Sequence, residues 1–168
     1  MKRLILAISR CAWPIILGGA AGKAGAQTTA SFNVTLTITA NCTIAATPLA
    51  FGNVGVLRAP VSATSTLTVT CTNSTPYTVG LNAGTGAGNT EASRNMFGTA
   101  AGNTATAVAY QLYKPDLTTV WGDTTIAARV GDTGTGSAQT LTVNGKVPAQ
   151  QTPAPDTYSS TVTATVYF

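Results

Sequence analysis

Residues 31–43 read SFNVTLTITANCT, with Phe32, Val34, Leu36 and Ile38 alternating with Asn33, Thr35, Thr37 and Thr39. A period of two puts the four apolar side chains on one face of an extended chain and the polar ones on the other. The stretch therefore predicts an amphipathic strand. Whether that strand belongs to its own sheet or to another molecule's decides the fold. Periodicity alone favours an ordinary first strand in its own sheet.

The residues before it read as a secretory leader. Lys2 and Arg3 form a basic start, apolar residues fill 4–8 and 11–17, and Ala24-Gly25-Ala26 supplies a small-x-small cleavage pattern. The apolar core is too short and broken for a membrane span. A lipoprotein signal at Cys11 is set aside, because Arg10 stands where a small residue is needed. Residues 1–26 are thus expected to be removed, which places Gln27 first and the amphipathic stretch close behind it.

Removing the leader changes the charge. The formal +4 comes from Lys2, Arg3, Arg10 and Lys23. What remains is Arg58, Arg94, Lys114, Arg129 and Lys146 against Glu91, Asp116, Asp123, Asp132 and Asp156, a neutral chain. A basic surface for nucleic acid or anionic lipid is excluded. Low charge on a Thr-, Asn-, Gly- and Ala-rich surface favours association over repulsion. Cys42 and Cys71 are the two cysteines left. In an exported protein an isolated pair is most simply one disulfide, which in the chain-entropy model contributes roughly 3.5 kcal/mol.

Helical periodicity is almost absent, and strand patterns recur about every ten residues. The expected strands are 31–40, 42–46, 49–57, 64–72, 76–82, 106–113, 117–121, 138–143, 146–149 and 157–168. Asn144-Gly145 between TLTV and KVPA predicts a tight hairpin. The Gly- and Thr-rich stretch 83–105 predicts a long surface loop, pinned by Met96 and Phe97. In the final strand Tyr158, Ser160, Val162, Ala164, Val166 and Phe168 share a face. With nothing after Phe168 to cover that edge, the two assignments of the opening strand stand level.

Little in the sequence supports catalysis. There is no histidine, which removes Ser-His-Asp and Cys-His chemistry and most zinc sites. Asp116 and Asp123 flank Trp121 but read as turn residues rather than a glycosidase pair. GTGAG (84–88) and GDTGTG (131–136) read as turns, since neither opens a helix or carries a P-loop lysine. Trp121 and Tyr113 are candidates for stacking on a sugar ring, although such aromatics more often fill a core. No metal or cofactor is expected.

The segments ANCTI, STLTVTCTNSTPYTVGLNAGTG, RNMFG, VAYQLYKPDLTTVWGD and DTYSSTVTATVYF, in that order, resemble the spore coat protein U domain, which includes the pilins of archaic chaperone–usher pili. The resemblance covers essentially the whole chain after the leader. It implies an all-β fold: an incomplete immunoglobulin-like sandwich, completed by a donor strand from a neighbouring subunit. It implies a periplasmic chaperone, an outer-membrane usher and other pilin subunits as partners. It also implies a polymer serving adhesion and biofilm formation.

On this resemblance the chain divides into a leader (1–26), a donor extension (27–40) and a pilin domain (41–168). The expected donor residues are Phe32, Val34, Leu36 and Ile38. Val162, Ala164, Val166 and Phe168 are expected to line the receiving groove, and Cys42–Cys71 to lock the sandwich. The protein is then a structural subunit at the cell surface rather than an enzyme. Two alternatives remain: a secreted coat protein complemented by its own first strand, and a carbohydrate-binding module using Trp121 and Tyr113.

Overall fold

A computed structural model describes residues 25–168; most of the expected leader lies outside them. The chain divides into two units, Met1–Leu36 and Thr37–Phe168. In the first, residues 25–36 carry no regular secondary structure, and Phe32, Val34 and Leu36 are exposed.

The second unit is all-β apart from one 3-10 turn, Ile126–Ala128. Its strands are β1 (Cys42–Ala46), β2 (Val61–Cys71), β3 (Pro76–Leu81), β4 (Arg94–Gly98), β5 (Ala107–Tyr113), β6 (Val130–Thr133), β7 (Ala138–Val147), β8 (Tyr158–Ser159) and β9 (Ala164–Tyr167). They form a six-stranded sheet in the order β1-β2-β7-β5-β4-β8 and a three-stranded sheet in the order β6-β3-β9, with every pairing antiparallel.

Alternation sets the core. On β2, Leu67, Val69 and Cys71 point inward while Thr66, Thr68 and Thr70 point out. Leu141, Val143 and Val147 of β7, Val108, Tyr110 and Leu112 of β5, and Tyr77, Val79 and Leu81 of β3 join them in one core. Trp121 lies between the sheets with no exposed surface, and its indole N–H donates to the Val79 carbonyl (2.8 Å). Burying that donor without a partner would cost about 1–3 kcal/mol. Arg94 is 1% exposed, and its guanidinium donates to the carbonyls of Leu81, Asn82, Glu91 and Trp121 and to Gln111 Oε1. One planar fork thus ties β4 and β5 of the large sheet to the end of β3 in the small one.

Cys42 and Cys71 form a disulfide between directly opposed residues of β1 and β2. This staple holds a five-residue edge strand whose own ladder is short.

Several expectations are corrected. Residues 31–40 form no strand, as they have no ladder partner among the described residues. Residues 49–57 and 117–121 form none either, apart from a single Tyr113–Val120 bridge. Asn144-Gly145 is not a hairpin: both residues lie inside β7, opposite Thr64 and Ala63. Asn144 Nδ2 donates to the Lys114 carbonyl (2.9 Å), and a Cβ at Gly145 would stand 2.7–3.0 Å from Leu49 and Phe51. The glycine serves close packing from outside the ladder rather than a turn. The stretch 83–105 is not all loop, since β4 lies within it. Residues 131–133 of GDTGTG lie in β6 rather than in a turn. The final segment is two short strands, because it leaves β4 for β3 and so changes sheets.

Candidate functional site

The segment that follows β1 opens the site. Thr47 is anchored to β2: its N–H donates to the Thr66 carbonyl (3.0 Å), and Ser65 Oγ donates to the Thr47 carbonyl. Ten residues on, the Leu57 N–H donates to Thr152 Oγ1 (2.8 Å), and its carbonyl accepts from Gln150 N–H (2.8 Å). Between these anchors the chain runs along a groove, with Leu49 and Phe51 set into the recess above Gly145.

The groove has two joined parts that share Leu49, Phe51 and Met96. One, of about 520 Å³, has a floor of Leu67, Leu81, Leu112 and Val143, and Val162 and Ala164 on its far wall. The other, of about 730 Å³, runs past Val61, Val108 and Val147 to Tyr158. No lysine or arginine lines either part, and Asp156 is the one carboxylate. Asp156 is held by the Ala100 N–H (3.0 Å), Asn103 Nδ2 (2.7 Å) and the Thr157 N–H (2.7 Å). These bonds, the Ala100 amide first, lower its pKa.

The far wall is an open strand edge. β9 is an outer strand of the small sheet, and β1 is an outer strand of the large one. Along 161–167 the odd residues face β3 and the loop after it: the Thr163 carbonyl accepts from Asn82 N–H (3.1 Å) and the Thr161 carbonyl from Thr85 N–H (2.9 Å). Antiparallel alternation then turns the main-chain groups of Val162, Ala164 and Val166 to the unpaired side. An unpaired edge beside an apolar groove is a template for strand addition.

A side-chain clasp holds this edge. The Arg129 guanidinium lies 3.7 Å over the Tyr167 ring, the Tyr167 hydroxyl donates to Asp123 Oδ2 (3.0 Å), and Arg129 Nε pairs with Asp123 Oδ1 (3.0 Å). A cation stacked on an aromatic ring favours the bound geometry by about 0.5–1 kcal/mol at a partly exposed site.

The structure brings three of the four expected groove residues to the core side of β9. Val162, Ala164 and Val166 pack against the core, and the first two line the groove. Phe168 is 60% exposed and outside the lining. Most of the floor was not singled out from sequence; Leu67, Leu81 and Val143 differ in no local signal from other inward residues. The expected donor residues Phe32, Val34, Leu36 and Ile38 are 86%, 85%, 86% and 76% exposed.

Other candidates resolve as structure. Trp121 is unavailable to a sugar, being enclosed. Asp116 accepts from the amides of Thr118 (2.9 Å) and Thr119 (2.8 Å) in a turn, and hydrogen bonding from the Thr119 side chain first, then from these amides, holds its pKa at about 2. Asp123 belongs to the clasp on β9. Among the described residues no group of His, Cys, Asp and Glu is placed to hold a metal ion, and no helix is long and apolar enough to cross a membrane.

The family model for the Spore Coat Protein U domain matches residues 28–165. No curated protein matches. Among solved structures, the chain is similar to one described as the CsuC–CsuE chaperone–tip adhesion subunit pre-assembly complex from archaic chaperone–usher Csu pili of Acinetobacter baumannii. The two share 26% identity at a TM-score of 0.55, over 79% of this chain and 41% of that one, so this chain spans less than half the length of the chain it matches.

Proposed function

The chain belongs to the Spore Coat Protein U domain family, and on that premise we propose that it is a structural subunit of an extracellular chaperone–usher pilus. Subunits join by donor-strand exchange: residues 27–40 of one chain enter the groove of the next. The leader, 1–26, directs export and is removed. A periplasmic chaperone occupies the groove first, and an outer-membrane usher exchanges it for the next subunit's extension. The resulting fibre acts in adhesion and biofilm formation, and its chemistry is burial rather than catalysis.

One observation carries this reading. An exposed segment with four apolar side chains at strand spacing accompanies a charge-poor apolar groove bounded by an unpaired strand edge. Burying Phe32, Val34, Leu36 and Ile38 contributes on the order of 6–12 kcal/mol. That matches a domain's whole net stability of about 5–15 kcal/mol, so the link is close to irreversible.

Deleting residues 27–39 tests it. The truncated chain should still accept a chaperone or a synthetic 27–40 peptide, yet fail to extend a fibre. Normal polymerisation of the truncated chain refutes the donor assignment. A stable monomer that binds no such peptide refutes the open groove.

A further inference from the structure

The wall of the groove has a gap in its ladder where the final segment changes sheets. Ser159 pairs with Phe97 of β4 and Ala164 with Leu81 of β3, and residues 160–163 between them lie in neither strand. Ser160, Thr161 and Val162 nonetheless line the groove. Across from them the chain leaving β3 cannot continue a ladder, because it turns at Gly84 (φ +80°), where a Cβ would stand 2.6 Å from Ser160 Oγ and 2.8 Å from the Tyr110 hydroxyl. The carbonyls that a ladder would use there are committed elsewhere. That of Asn82 accepts from Arg94 Nε (3.1 Å) and Nη2 (2.8 Å), and that of Thr85 from Asn89 Nδ2 (3.1 Å) and Ser160 Oγ (3.0 Å). Two side chains stand in for them: Asn82 Oδ1 accepts the Thr163 N–H (2.9 Å), and Thr85 Oγ1 accepts the Thr161 N–H (2.9 Å). Asn82 Oδ1 also accepts the Gly84 N–H (3.0 Å), an Asx turn that fixes the side chain in place.

We infer that Asn82 and Thr85 are positioning residues of the receiving edge: their side-chain oxygens hold 160–163 in line with β9, so that Val162 offers its outward main-chain groups in register with those of Ala164 and Val166. The inference rests on the donor-strand reading and adds the residues that set how much of the edge an incoming strand can use. Asn82, Thr85, Thr161 and Thr163 are all exposed. Water can therefore take the two amides without leaving a buried group unpaired. What the side-chain oxygens add over water is a fixed place for the backbone, which matters to an incoming strand and little to the free chain. With 160–163 released, the usable edge shortens from Val162–Val166 to Ala164–Val166. An incoming strand then forfeits the main-chain bonds that Val162 would make.

The test uses the chain from Gln27 onward carrying Leu36→Asp, which suppresses donation between copies, with a synthetic peptide of residues 27–40 as the occupant. Asn82→Leu and Thr85→Val remove the two acceptors while keeping side-chain size. Together they should weaken peptide binding about tenfold and speed amide exchange at Thr161 and Thr163 at least about tenfold. The free chain should melt within about 5 °C of its parent. Asn82→Asp and Thr85→Ser keep an acceptor oxygen, and the chain carrying that conservative pair should bind within about twofold of the parent. Undiminished affinity on removing the acceptors overturns the inference. So does an equal loss with the conservative pair, which would make shape rather than the acceptor the cause, and so does a larger fall in melting temperature, which would assign the two side chains to stability. A parent that binds no peptide overturns the donor-strand reading and this inference with it.

Peptides each N-methylated at one amide from 31 to 39 supply a second measurement. Methylation blocks that amide's bond, so on the parent it should weaken binding at the positions that face the edge of β9. On the chain without the two acceptors, the position facing Val162 should become silent while those facing Ala164 and Val166 still cost affinity. A general loss of stability does not produce such a coupling between two sites. The same profile on both chains overturns the inference.

Discussion

Leu36→Asp separates the free chain from the fibre. Leu36 is 86% exposed, so in the isolated chain the substitution removes almost no buried surface and should shift stability by no more than about 0.5 kcal/mol. In the fibre two costs add. The lost burial is about 1.5–3 kcal/mol. The new carboxylate must enter a groove with no lysine or arginine in its lining, where Asp156 is already present, and an unpaired ion in such a site costs several kcal/mol. The total, about 4 kcal/mol or more, is roughly a thousandfold in the link's equilibrium constant. Chemical denaturation of the free chain and of assembled fibres measures both sides, with Leu36→Ile as a volume-matched control costing less than about 1.5 kcal/mol. Fibres of undiminished stability would refute the reasoning. So would an equal loss in the free chain, which would place Leu36 within its own fold.

Replacing Cys42 and Cys71 together by serine should cost about 3.5 kcal/mol in denaturant unfolding, from the 29-residue separation that the disulfide closes. Arg94→Lys should cost about 2 kcal/mol or more in the same assay. Lysine has three donors for the five acceptors the guanidinium now serves, and each buried acceptor left unpaired costs about 1–3 kcal/mol. Asp116 should titrate at about 2 when followed by NMR, below its ordinary 3.8. Because the folded value is the lower one, the stability it contributes is present above about 3.8 and is lost as pH falls through 2. Asp116→Asn should remove that part of the acid dependence.

The sequence made some of this plain and hid the rest for identifiable reasons. β2 and β5 follow from strict alternation, since each has one face on the core and one in solvent. The Cys42–Cys71 bond follows from their being the two cysteines outside the expected leader. Gly145 misled because the chain segment that packs against it, Leu49–Phe51, is nearly a hundred residues away, and no local pattern records that contact. β4 was hidden by its flanking glycines and threonines, and by an arginine at its start. That arginine can be buried because four carbonyls from three separate segments, 81–82, 91 and 121, converge on it. The candidate site was half legible. The pattern of 31–39 and of 158–168 is visible in the residues alone, as is the periodicity of 49–57. That 49–57 borders a groove without forming a ladder is a fact of tertiary structure.

The central claim is that Phe32, Val34, Leu36 and Ile38 serve another molecule's fold. An atomic map of fibres assembled from the full chain tests it most directly. The account predicts that residues 31–39 of one subunit lie in the groove of the next, hydrogen-bonded to the outer edge of Val162–Val166, with the four apolar side chains over Leu67, Leu81 and Val143. The same segment found paired with its own subunit's β9, or lying outside any groove, would contradict it.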